Sequence, residues 1–350
     1  MTRYAYVGCR TTKERGARGK GIKVFAINEN NQWTLVQLVK DLVNPSYLCF
    51  DQTGTFLYAI HGDFSEISAF SVEATSGQLT YLNTVSTQGL NPVHLSVNKT
   101  NQYIFVANLQ TGTVATIPIE IDGSLGQLKF LESIPGLKEG SISHPHQVAQ
   151  DQTGDFLLVS CQGRLEGFGQ VDVFKIDHDT GELSCTERVR SREIAEPRHL
   201  VVHQNNKWVY GVNEKDYSIT YYHFEERIGK LMPKQILPTL PDTYTGDGWA
   251  SGIVLTTSGK YVIVSNRKHD SVTSFKINPN TGYLSYCDCI KTGGEQPRFI
   301  VFDSQGQYLL AANELSDRIT GFFIDETTGK FSASNFSVET ESPVCVIFSE

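Results

Sequence analysis

Short apolar runs alternate with turn signals along the whole chain. Phe156-Leu-Leu-Val159 and Val171-Asp-Val-Phe174 are two such runs, and in the second Asp172 points away from the apolar face. Runs of about four to eight residues that are rich in β-branched and aromatic side chains predict strands. Turn sequences such as Asp151-Gln-Thr-Gly154 and Asp179-Thr-Gly181 separate them. The pattern predicts an all-β fold.

A leading segment, usually opened by proline, recurs through this strand pattern at intervals of 46 to 53 residues. Its seven copies begin at Pro45, Pro92, Pro145, Pro197, Ala250, Pro297 and Pro343. A β-rich repeat of this length is typical of a propeller, in which each repeat forms one four-stranded blade. Near the end of five repeats, from Gly77 to Gly329, a Gly-x-Leu or Gly-x-Phe sequence precedes the outermost strand. Glycine there supplies the positive φ of a tight turn.

The two ends of the chain complement each other in this arrangement. The N-terminal part has three strand-like runs that no leading segment precedes, at residues 4–7, 21–25 and 33–35. The C-terminal run 343–348 is a leading segment, and the strands that follow such a segment in the other repeats are absent after it. We therefore expect a seven-bladed β-propeller with four antiparallel strands per blade and one blade closed by both termini. A chain of 350 residues would by itself favour two domains, but the repeat predicts one domain over residues 1–350.

The amino-acid composition limits the classes of binding partner and the cellular compartment that we expect. The net charge of −8 argues against nucleic acid and anionic membranes, which need a basic surface. The N-terminal sequence shows no signal peptide, and no stretch approaches the roughly 20 apolar residues of a membrane span. The seven cysteines are scattered and odd in number, which favours reduced, buried thiols. We therefore expect a cytoplasmic protein with no nucleic-acid or membrane partner.

One segment departs from the acidic balance. The loop of residues 10–20 carries a single acid, Glu14, among five basic residues: Arg10, Lys13, Arg15, Arg18 and Lys20. The loop follows a predicted strand near the N-terminus, so we expect it to overhang one face of the propeller. There it is either a solvated loop or a basic feature that attracts an anionic substrate.

The leading segments also indicate where the chemistry lies, because each starts the innermost strand at the mouth of the central channel. The first residues after the leading position are Ser46, Val93, His146, Arg198, Ser251, Arg298 and Val344. The next residues are Tyr47, His94, Gln147, His199, Gly252, Phe299 and Cys345. Buried charge is costly unless it is paired, so arginines and histidines at a channel mouth predict an anion site. Arginine suits planar carboxylate and phosphate groups.

The ends of the second strands add a further polar set. An asparagine recurs there, at Asn108, Asn213, Asn266 and Asn313, and is expected to bond the turn backbone. The residues after it differ between repeats and include Glu214 and Arg267. We predict a catalytic set of His146, Arg198, Glu214 and Arg267, with Arg298, His94 and His199 binding the substrate. Histidine or glutamate would transfer a proton, while arginine would hold a carboxylate and stabilise an oxyanion.

This set fits ester, lactone or enolate chemistry on a small anionic lactone or carboxylate. Hydride transfer is not indicated, because no Gly-x-Gly-x-x-Gly sequence follows a strand and opens a helix. The Gly-x-Ser-x-Gly elbow of many esterases is also absent from the sequence. The starts of the inner strands have almost no Asp or Glu, so we expect no metal site and no cofactor.

The motifs together resemble a known family. They run along the chain as Asn91-Pro-Val-His94, Val106-Ala-Asn108 with Gly112-Thr-Val-Ala115, His144-Pro-His146, Pro197-Arg-His199, Ser265-Asn-Arg267, Gly293-Gly-Glu-Gln-Pro-Arg298 and Ser342-Pro-Val-Cys345. They are similar to motifs of the seven-bladed lactonase family, which contains propeller-type 6-phosphogluconolactonases and the fungal 3-carboxy-cis,cis-muconate lactonizing enzyme. The resemblance implies an active site at His146, Arg198, Glu214 and Arg267. Two segments depart from the family pattern: the longer, more basic stretch after Gly8, which includes Cys9 and Arg10, and the turn at residues 160–169.

Three functions follow as hypotheses. The first is a lactonase that hydrolyses a sugar lactone, with a phosphorylated one favoured, in which His146 or Glu214 activates water. The second is a lactonizing cycloisomerase of the carboxymuconate type, which would use the same residues on a carboxylated diene acid. The third is a non-enzymatic propeller that binds protein partners, although such a scaffold has no need of this charged set.

Overall fold

The computed structural model describes residues 3–349, and within this range the chain forms seven four-stranded antiparallel sheets. Each sheet is one blade, and the innermost strand of every blade contacts the innermost strands of its two neighbours, so that the blades form a ring. The predicted seven-bladed β-propeller is confirmed. The remaining regular structure of the described chain is two short 3₁₀ turns, Lys13–Arg15 and Glu314–Ser316.

The strands are numbered in chain order. Blade 1 contains β1 (Arg3–Cys9), β2 (Ile22–Ile27) and β3 (Trp33–Val39) as its three outer strands. From the channel outward, blade 2 is β4 (Pro45–Phe50), β5 (Phe56–His61), β6 (Glu66–Val72) and β7 (Leu79–Ser86). Blade 3 is β8 (Pro92–Val97), β9 (Tyr103–Asn108), β10 (Thr113–Pro118) and β11 (Phe130–Ser133). Blade 4 is β12 (Pro145–Gln150), β13 (Phe156–Cys161), β14 (Gln170–Ile176) and β15 (Leu183–Arg190).

The other blades repeat this order. Blade 5 is β16 (Pro197–Val202), β17 (Trp208–Asn213), β18 (Ser218–Glu225) and β19 (Lys230–Pro238). Blade 6 is β20 (Trp249–Leu255), β21 (Tyr261–Arg267), β22 (Ser271–Ile277) and β23 (Leu284–Lys291). Blade 7 is β24 (Pro297–Phe302), β25 (Leu309–Asn313), β26 (Arg318–Ile324) and β27 (Phe331–Glu339), and β28 (Pro343–Phe348) is the inner strand of blade 1. The leading prolines are thus the first residues of six inner strands.

Blade 1 is closed by strands from both ends of the chain. Strand β28 pairs antiparallel with β1, and the register runs from Ala5 opposite Phe348 to Gly8 opposite Cys345. This pairing joins the two ends of the ring, so neither terminal strand leaves an open sheet edge at the channel. The predicted terminal closure is confirmed.

The core consists of seven apolar clusters, each lying between two neighbouring blades of the described chain. Between blades 2 and 3, for example, Tyr58 and Ile60 pack against Leu95 and Val106. Alternate residues of each middle strand face opposite sides of a sheet, so both faces of a blade are covered. Burial of these faces holds the ring together.

The recurrent glycine before the outermost strand has two structural roles, as blade 3 shows. Gly123 adopts φ +81°, which suits a residue without a side chain. A Cβ atom at this position would lie 2.1 Å from the ring of Phe56 in the neighbouring blade. The hydroxyl of Tyr58 also donates a hydrogen bond to the Gly123 carbonyl at 3.1 Å. The turn is therefore a contact between blades as well as a change of direction.

Each inner strand carries a one-residue bulge near its start, next to the leading position, in all seven blades of residues 3–349. His146, Arg198 and Arg298 are the extra residues in blades 4, 5 and 7. A bulged residue leaves the regular pairing and its side chain is re-aimed. The positions compared in the sequence are therefore the points at which each blade presents a side chain to the channel mouth.

The cysteines only partly match expectation. All seven are free, and Cys9, Cys161 and Cys345 are buried as predicted. The prediction of burial is wrong for Cys185, which is exposed on the outermost strand of blade 4, and Cys49, Cys287 and Cys289 are half-buried. Within residues 3–349, no helix has the length and apolar character needed to cross a membrane.

Candidate active site

A small cavity lies at the channel mouth. Six of the seven bulge positions contribute to its lining, which consists of Arg10, Ser46, Tyr47, Val93, His146, Arg198, His199, Arg298, Phe299 and Val344. The space open to a water-sized sphere is about 20 Å³, the room of about one water molecule, so a larger ligand binds here only when side chains of the lining move. A far larger cleft of about 800 Å³ lies between the outer strands of blades 7 and 1, but no His or Arg lines it. The chemistry therefore centres on the channel mouth.

Glu214 joins two of the predicted arginines beside this cavity. Its Oε2 atom lies 2.8 Å from Nε of Arg198 and 3.0 Å from Nη2 of Arg267. The indole N–H of Trp249 donates to Oε1 at 2.6 Å. Both arginines and Glu214 are buried, so the structure brings three members of the predicted catalytic set into direct contact.

Backbone contacts fix the two arginines. Nη1 of Arg198 donates to the carbonyl of Ser251 at 2.9 Å, and Nη2 of Arg267 donates to the carbonyl of Ala250 at 2.9 Å. The Arg267 guanidinium also stacks 4.6 Å from the centre of the Trp249 ring, a favourable cation–π geometry. Arg198 lines the cavity, whereas Arg267 and Glu214 lie outside its lining.

The charges of this cluster are strongly coupled. Burial alone would raise the pKa of Glu214, but Arg267, Arg198 and Arg298, with the Trp249 hydrogen bond, lower it to about 2. Glu214 is therefore a carboxylate at neutral pH, and its electron pairs are engaged by the arginines. Burial lowers the pKa of Arg198 well below its usual value, against the opposing effect of Glu214.

His146 occupies the cavity wall in blade 4. It is buried, and its Nδ1 atom has no hydrogen-bond partner within residues 3–349. Burial, followed by the charge of Arg198, lowers the pKa of His146 well below its usual value. The imidazole is therefore neutral at physiological pH and one ring nitrogen is available to accept a proton.

The other two predicted histidines differ in whether they line the cavity. His199 lines the cavity, with its ring 5.2 Å from that of His146, and its ring nitrogens are 3.2 and 3.3 Å from Nη1 of Arg198. His94 lies behind it, stacked 4.1 Å from Tyr47, and does not line the cavity. Burial, with a smaller effect of Arg198, lowers the pKa of His94 to about 3. Burial, followed by the charge of Arg198, also lowers the pKa of His199 well below its usual value, so both rings are neutral at physiological pH.

A second charged set adjoins the same cavity, and sequence reasoning missed most of it. Glu314 lies 3.1 Å from Nε of Arg10 through Oε1 and 4.0 Å from Nε of Arg298 through Oε2. Arg10 and Glu314 are both buried. The signal was present in the repeat, because Glu314 follows Asn313 as Glu214 follows Asn213. Trp249 was also missed, and nothing in the repeat distinguished it.

The basic loop lies at the channel mouth, as expected. Its outer arginines are paired with acids on the rim: Nε of Arg15 bonds Asp63 at 2.9 Å, and Nη2 of Arg18 bonds Asp317 at 2.8 Å. These pairs neutralise part of the charge that the sequence suggested. Arg10 is instead buried and lines the cavity.

The recurrent asparagines are buried and structural, with one correction. They bond mostly to hydroxyl groups on the third strands, as Asn213 does with Ser218 at 2.8 Å and Thr220 at 3.0 Å, rather than to turn backbone. These bonds fix the end of the second strand, where Arg267 is the last residue of β21 and Glu214 directly follows β17. No group of three or more His, Cys, Asp or Glu suited to a metal ion occurs among residues 3–349.

The family model described as lactonase, 7-bladed beta-propeller matches residues 4–348. The chain belongs to the seven-bladed lactonase family. This confirms the family that the sequence motifs resemble, and the match runs through all seven blades.

Relatives and solved structures agree with this assignment. The 6-phosphogluconolactonase of Bacillus subtilis (strain 168) is 28% identical over 308 residues, which cover 86% of this chain and 85% of that protein. The crystal structure of a putative 6-phosphogluconolactonase from Bacteroides fragilis NCTC 9343 superposes with a TM-score of 0.87 at 28% identity, covering 100% of this chain and 98% of that one. A periplasmic gluconolactonase of Pseudomonas aeruginosa has a TM-score of 0.90 at 23% identity over 100% and 99% of the two chains, and this likeness shows the fold alone.

Proposed function

We propose that this protein is a lactonase of the 6-phosphogluconolactonase type, which hydrolyses a sugar lactone at the channel mouth. The observation that carries the proposal is the buried His146, which lines the cavity beside the arginines of the mouth and has a ring nitrogen without a hydrogen-bond partner among residues 3–349. Relatives named 6-phosphogluconolactonase that match most of the chain support the substrate class.

In the proposed mechanism, His146 is the general base. Its neutral imidazole takes a proton from water as the water oxygen attacks the lactone carbonyl carbon. The resulting oxyanion forms next to Arg198, whose charge stabilises it. The ring C–O bond then breaks, and the imidazolium returns the proton to the leaving oxygen. The product is a hydroxy carboxylic acid, which ionises to the carboxylate and releases one proton to solvent. One water is consumed and His146 is regenerated.

Glu214 and Arg267 act as positioning residues in this mechanism. The sequence left His146 and Glu214 as alternative bases, and the geometry favours His146, because Glu214 is held by two arginines and Trp249. Glu214 also lies outside the lining of the cavity, whereas His146 belongs to it. The role of Glu214 is to hold the Arg198 guanidinium toward the cavity, with Arg267 as the second support.

The predicted substrate-binding residues have different roles in the proposal. Arg298 and His199 line the cavity and contact the substrate directly. His94 acts indirectly, since it packs against Tyr47 and the ring of His199 lies 5.7 Å from its own. The substrate is a small anionic lactone, and the arginines of the mouth favour its negative charge.

The cycloisomerase hypothesis uses the same residues, so geometry alone favours neither reaction. The relatives named as lactonases favour hydrolysis. We also propose that the protein works in the cytoplasm, since its seven cysteines are free thiols, one of them exposed. Cell fractionation with an antibody tests this location, and recovery in a periplasmic or secreted fraction would contradict it.

The test compares hydrolysis of 6-phosphoglucono-δ-lactone and glucono-δ-lactone by the native protein and by His146→Ala, after subtraction of spontaneous ring opening. We expect rapid turnover by the native protein and a loss of roughly 100- to 10,000-fold in the variant, the range of general-base catalysis. His178→Ala is the matched control, because His178 is half-buried on an outer turn of blade 4 and does not line the cavity. An unchanged rate in His146→Ala would refute the assigned base. If the native protein hydrolyses neither lactone, the carboxymuconate cycloisomerase reaction becomes the favoured alternative.

A further inference from the structure

The two charged sets at the channel mouth are repeat-equivalent but differ in the lengths of their ion pairs. In the Glu214 set, both arginines lie within 3.0 Å of the carboxylate. In the Glu314 set, which comprises Glu314, Arg10 and Arg298, Arg10 lies at 3.1 Å and Arg298 at 4.0 Å. Within residues 3–349, this is the shortest separation between the Arg298 guanidinium and a carboxylate. The Glu314 set therefore has unused donor capacity.

One of these unused hydrogen-bond donors belongs to Arg10. Its residue is only 6% exposed, and its Nη1 atom has no hydrogen-bond partner among the described residues. The nearest carboxylate to Nη1 is Asp63 at 3.6 Å, and Asp63 is already bonded by Arg15 and by the amide of Asn44. A buried guanidinium donor without a partner is costly unless a ligand satisfies it.

The loop that carries Arg10 is built to hold it in place. Arg18 bonds Asp317 of blade 7, while Arg15 bonds Asp63 of blade 2, so the loop is fixed on both sides of blade 1. The backbone N–H of Arg10 donates to Ser342 at 3.0 Å. A Cβ atom on Gly19 would lie 2.4 Å from the Arg10 carbonyl, so the return of the loop packs directly on this residue. Arg10 is thus a fixed part of the cavity wall.

The charge balance of the set favours an anion. Arg10 and Arg298 share one buried carboxylate, Glu314, and both residues line the cavity that His146 and Arg198 also line. Burial and the charge of Arg298 lower the pKa of Arg10 to about 9, so Arg10 remains protonated at neutral pH. The set carries a net positive charge facing the cavity.

We propose that Arg10 and Arg298 bind the phosphate monoester of a phosphorylated lactone, and that Glu314 positions Arg10 for this contact. Two guanidinium groups at one site provide several directed N–H donors, which suit the oxygens of a phosphate. The inference rests on the proposed lactonase function and extends it, since it assigns the residue that distinguishes phosphorylated from unphosphorylated substrate. Arg10 is the specificity-determining residue, and the basic loop holds it at the cavity.

The test measures kcat/KM for 6-phosphoglucono-δ-lactone and for glucono-δ-lactone in the native protein, Arg10→Gln and Arg10→Lys. We expect the ratio of the two values to fall about 30-fold in Arg10→Gln, the size of one charged hydrogen-bonding contact. Arg10→Lys, which keeps the charge, should recover part of it. Lys13→Gln is the matched control, because Lys13 lies in the same loop but its side chain is exposed, and its ratio should stay within about twofold of native.

A binding measurement separates this inference from the proposed function. Calorimetry with 6-phosphogluconate and gluconate needs no turnover, and we expect the native protein to prefer 6-phosphogluconate and Arg10→Gln to lose that preference. Loss of preference in the variant supports the phosphate site even if the native protein hydrolyses neither lactone. Equal binding of the two acids by the native protein, or an unchanged substrate ratio in folded Arg10→Gln, would overturn it. If Arg10→Gln does not fold, Arg298→Gln replaces it, since Arg298 is less buried and loses only a long ion pair.

Discussion

Replacement of Glu214 by glutamine removes the charge that links Arg198 to Arg267 and keeps the shape of the side chain. The amide oxygen can still accept the Trp249 hydrogen bond, so the loss is confined to two ion pairs at 2.8 and 3.0 Å. Removing one partner of a buried ion pair costs about 3–5 kcal/mol, because the remaining charge stays desolvated. We therefore expect Glu214→Gln to lose about 3–5 kcal/mol of unfolding free energy at neutral pH.

The pH dependence of stability gives an independent signature of the same carboxylate. The native pKa of Glu214 is about 2, below its usual value of 4.5. Its contribution to stability is therefore present above the usual value and is lost as the pH falls from there toward about 2. Glu214→Gln should lack this part of the acid dependence. Urea unfolding curves between neutral and acid pH measure both effects.

The kinetic consequence separates positioning from catalysis. If Glu214 only positions Arg198, kcat falls while the pH–rate profile of the variant keeps the native shape. Glu182→Gln is the control, because Glu182 is exposed on an outer turn of blade 4. A stability loss under about 1 kcal/mol would refute the buried ion-pair argument. Disappearance of an acid limb from the rate profile would instead make Glu214 the base.

Three further predictions follow from the fold. Acidification from about pH 6 to about pH 5 should lower the free energy of unfolding by about 4 kcal/mol, because His94, His146 and His199 are neutral in the folded state and take up protons on unfolding. In urea titrations, His94→Gln should remove about a third of this pH dependence. An unchanged pH dependence would contradict the prediction. Gly123→Ala should destabilise the protein by about 1–3 kcal/mol more than Gly54→Ala, since both glycines have positive φ but only Gly123 abuts an aromatic ring. Equal melting temperatures of the two variants would contradict a close contact between Gly123 and the neighbouring blade. We propose that residues 1–350 form one domain, so deletion of residues 343–350 should open blade 1 and cause aggregation, and a monomeric truncated protein with a native melting curve would refute this.

The fold was predictable because each blade repeats the same alternation of apolar strands and turns. Pro45 and Pro297, for example, align as equivalent positions from the repeat alone, because each opens a leading segment. The exact strand limits were not predictable: the strand expected over residues 33–35 runs on to Val39. Such limits depend on pairing with the neighbouring strand, which a local pattern does not contain.

Part of the charged site was also predictable, because bulge positions occur at a fixed place in every repeat. His146, Arg198 and Arg298 were identified in this way, and the structure places all three on the cavity wall. Arg10 was not identified, since Cys9 stands where other blades have the recurrent asparagine, so the position after it was not aligned with Glu214 and Arg267. The path of a loop depends on tertiary contacts such as Arg18 with Asp317, and composition alone showed only that the loop is basic.

The account is tested most directly by the rate of 6-phosphoglucono-δ-lactone opening in purified native protein, His146→Ala and His178→Ala, measured side by side. The account predicts fast, saturable hydrolysis by the native and His178→Ala proteins and a rate near spontaneous opening for His146→Ala. Native-like hydrolysis by His146→Ala would show that the neutral imidazole at the channel mouth is not the base, and the central claim would be wrong.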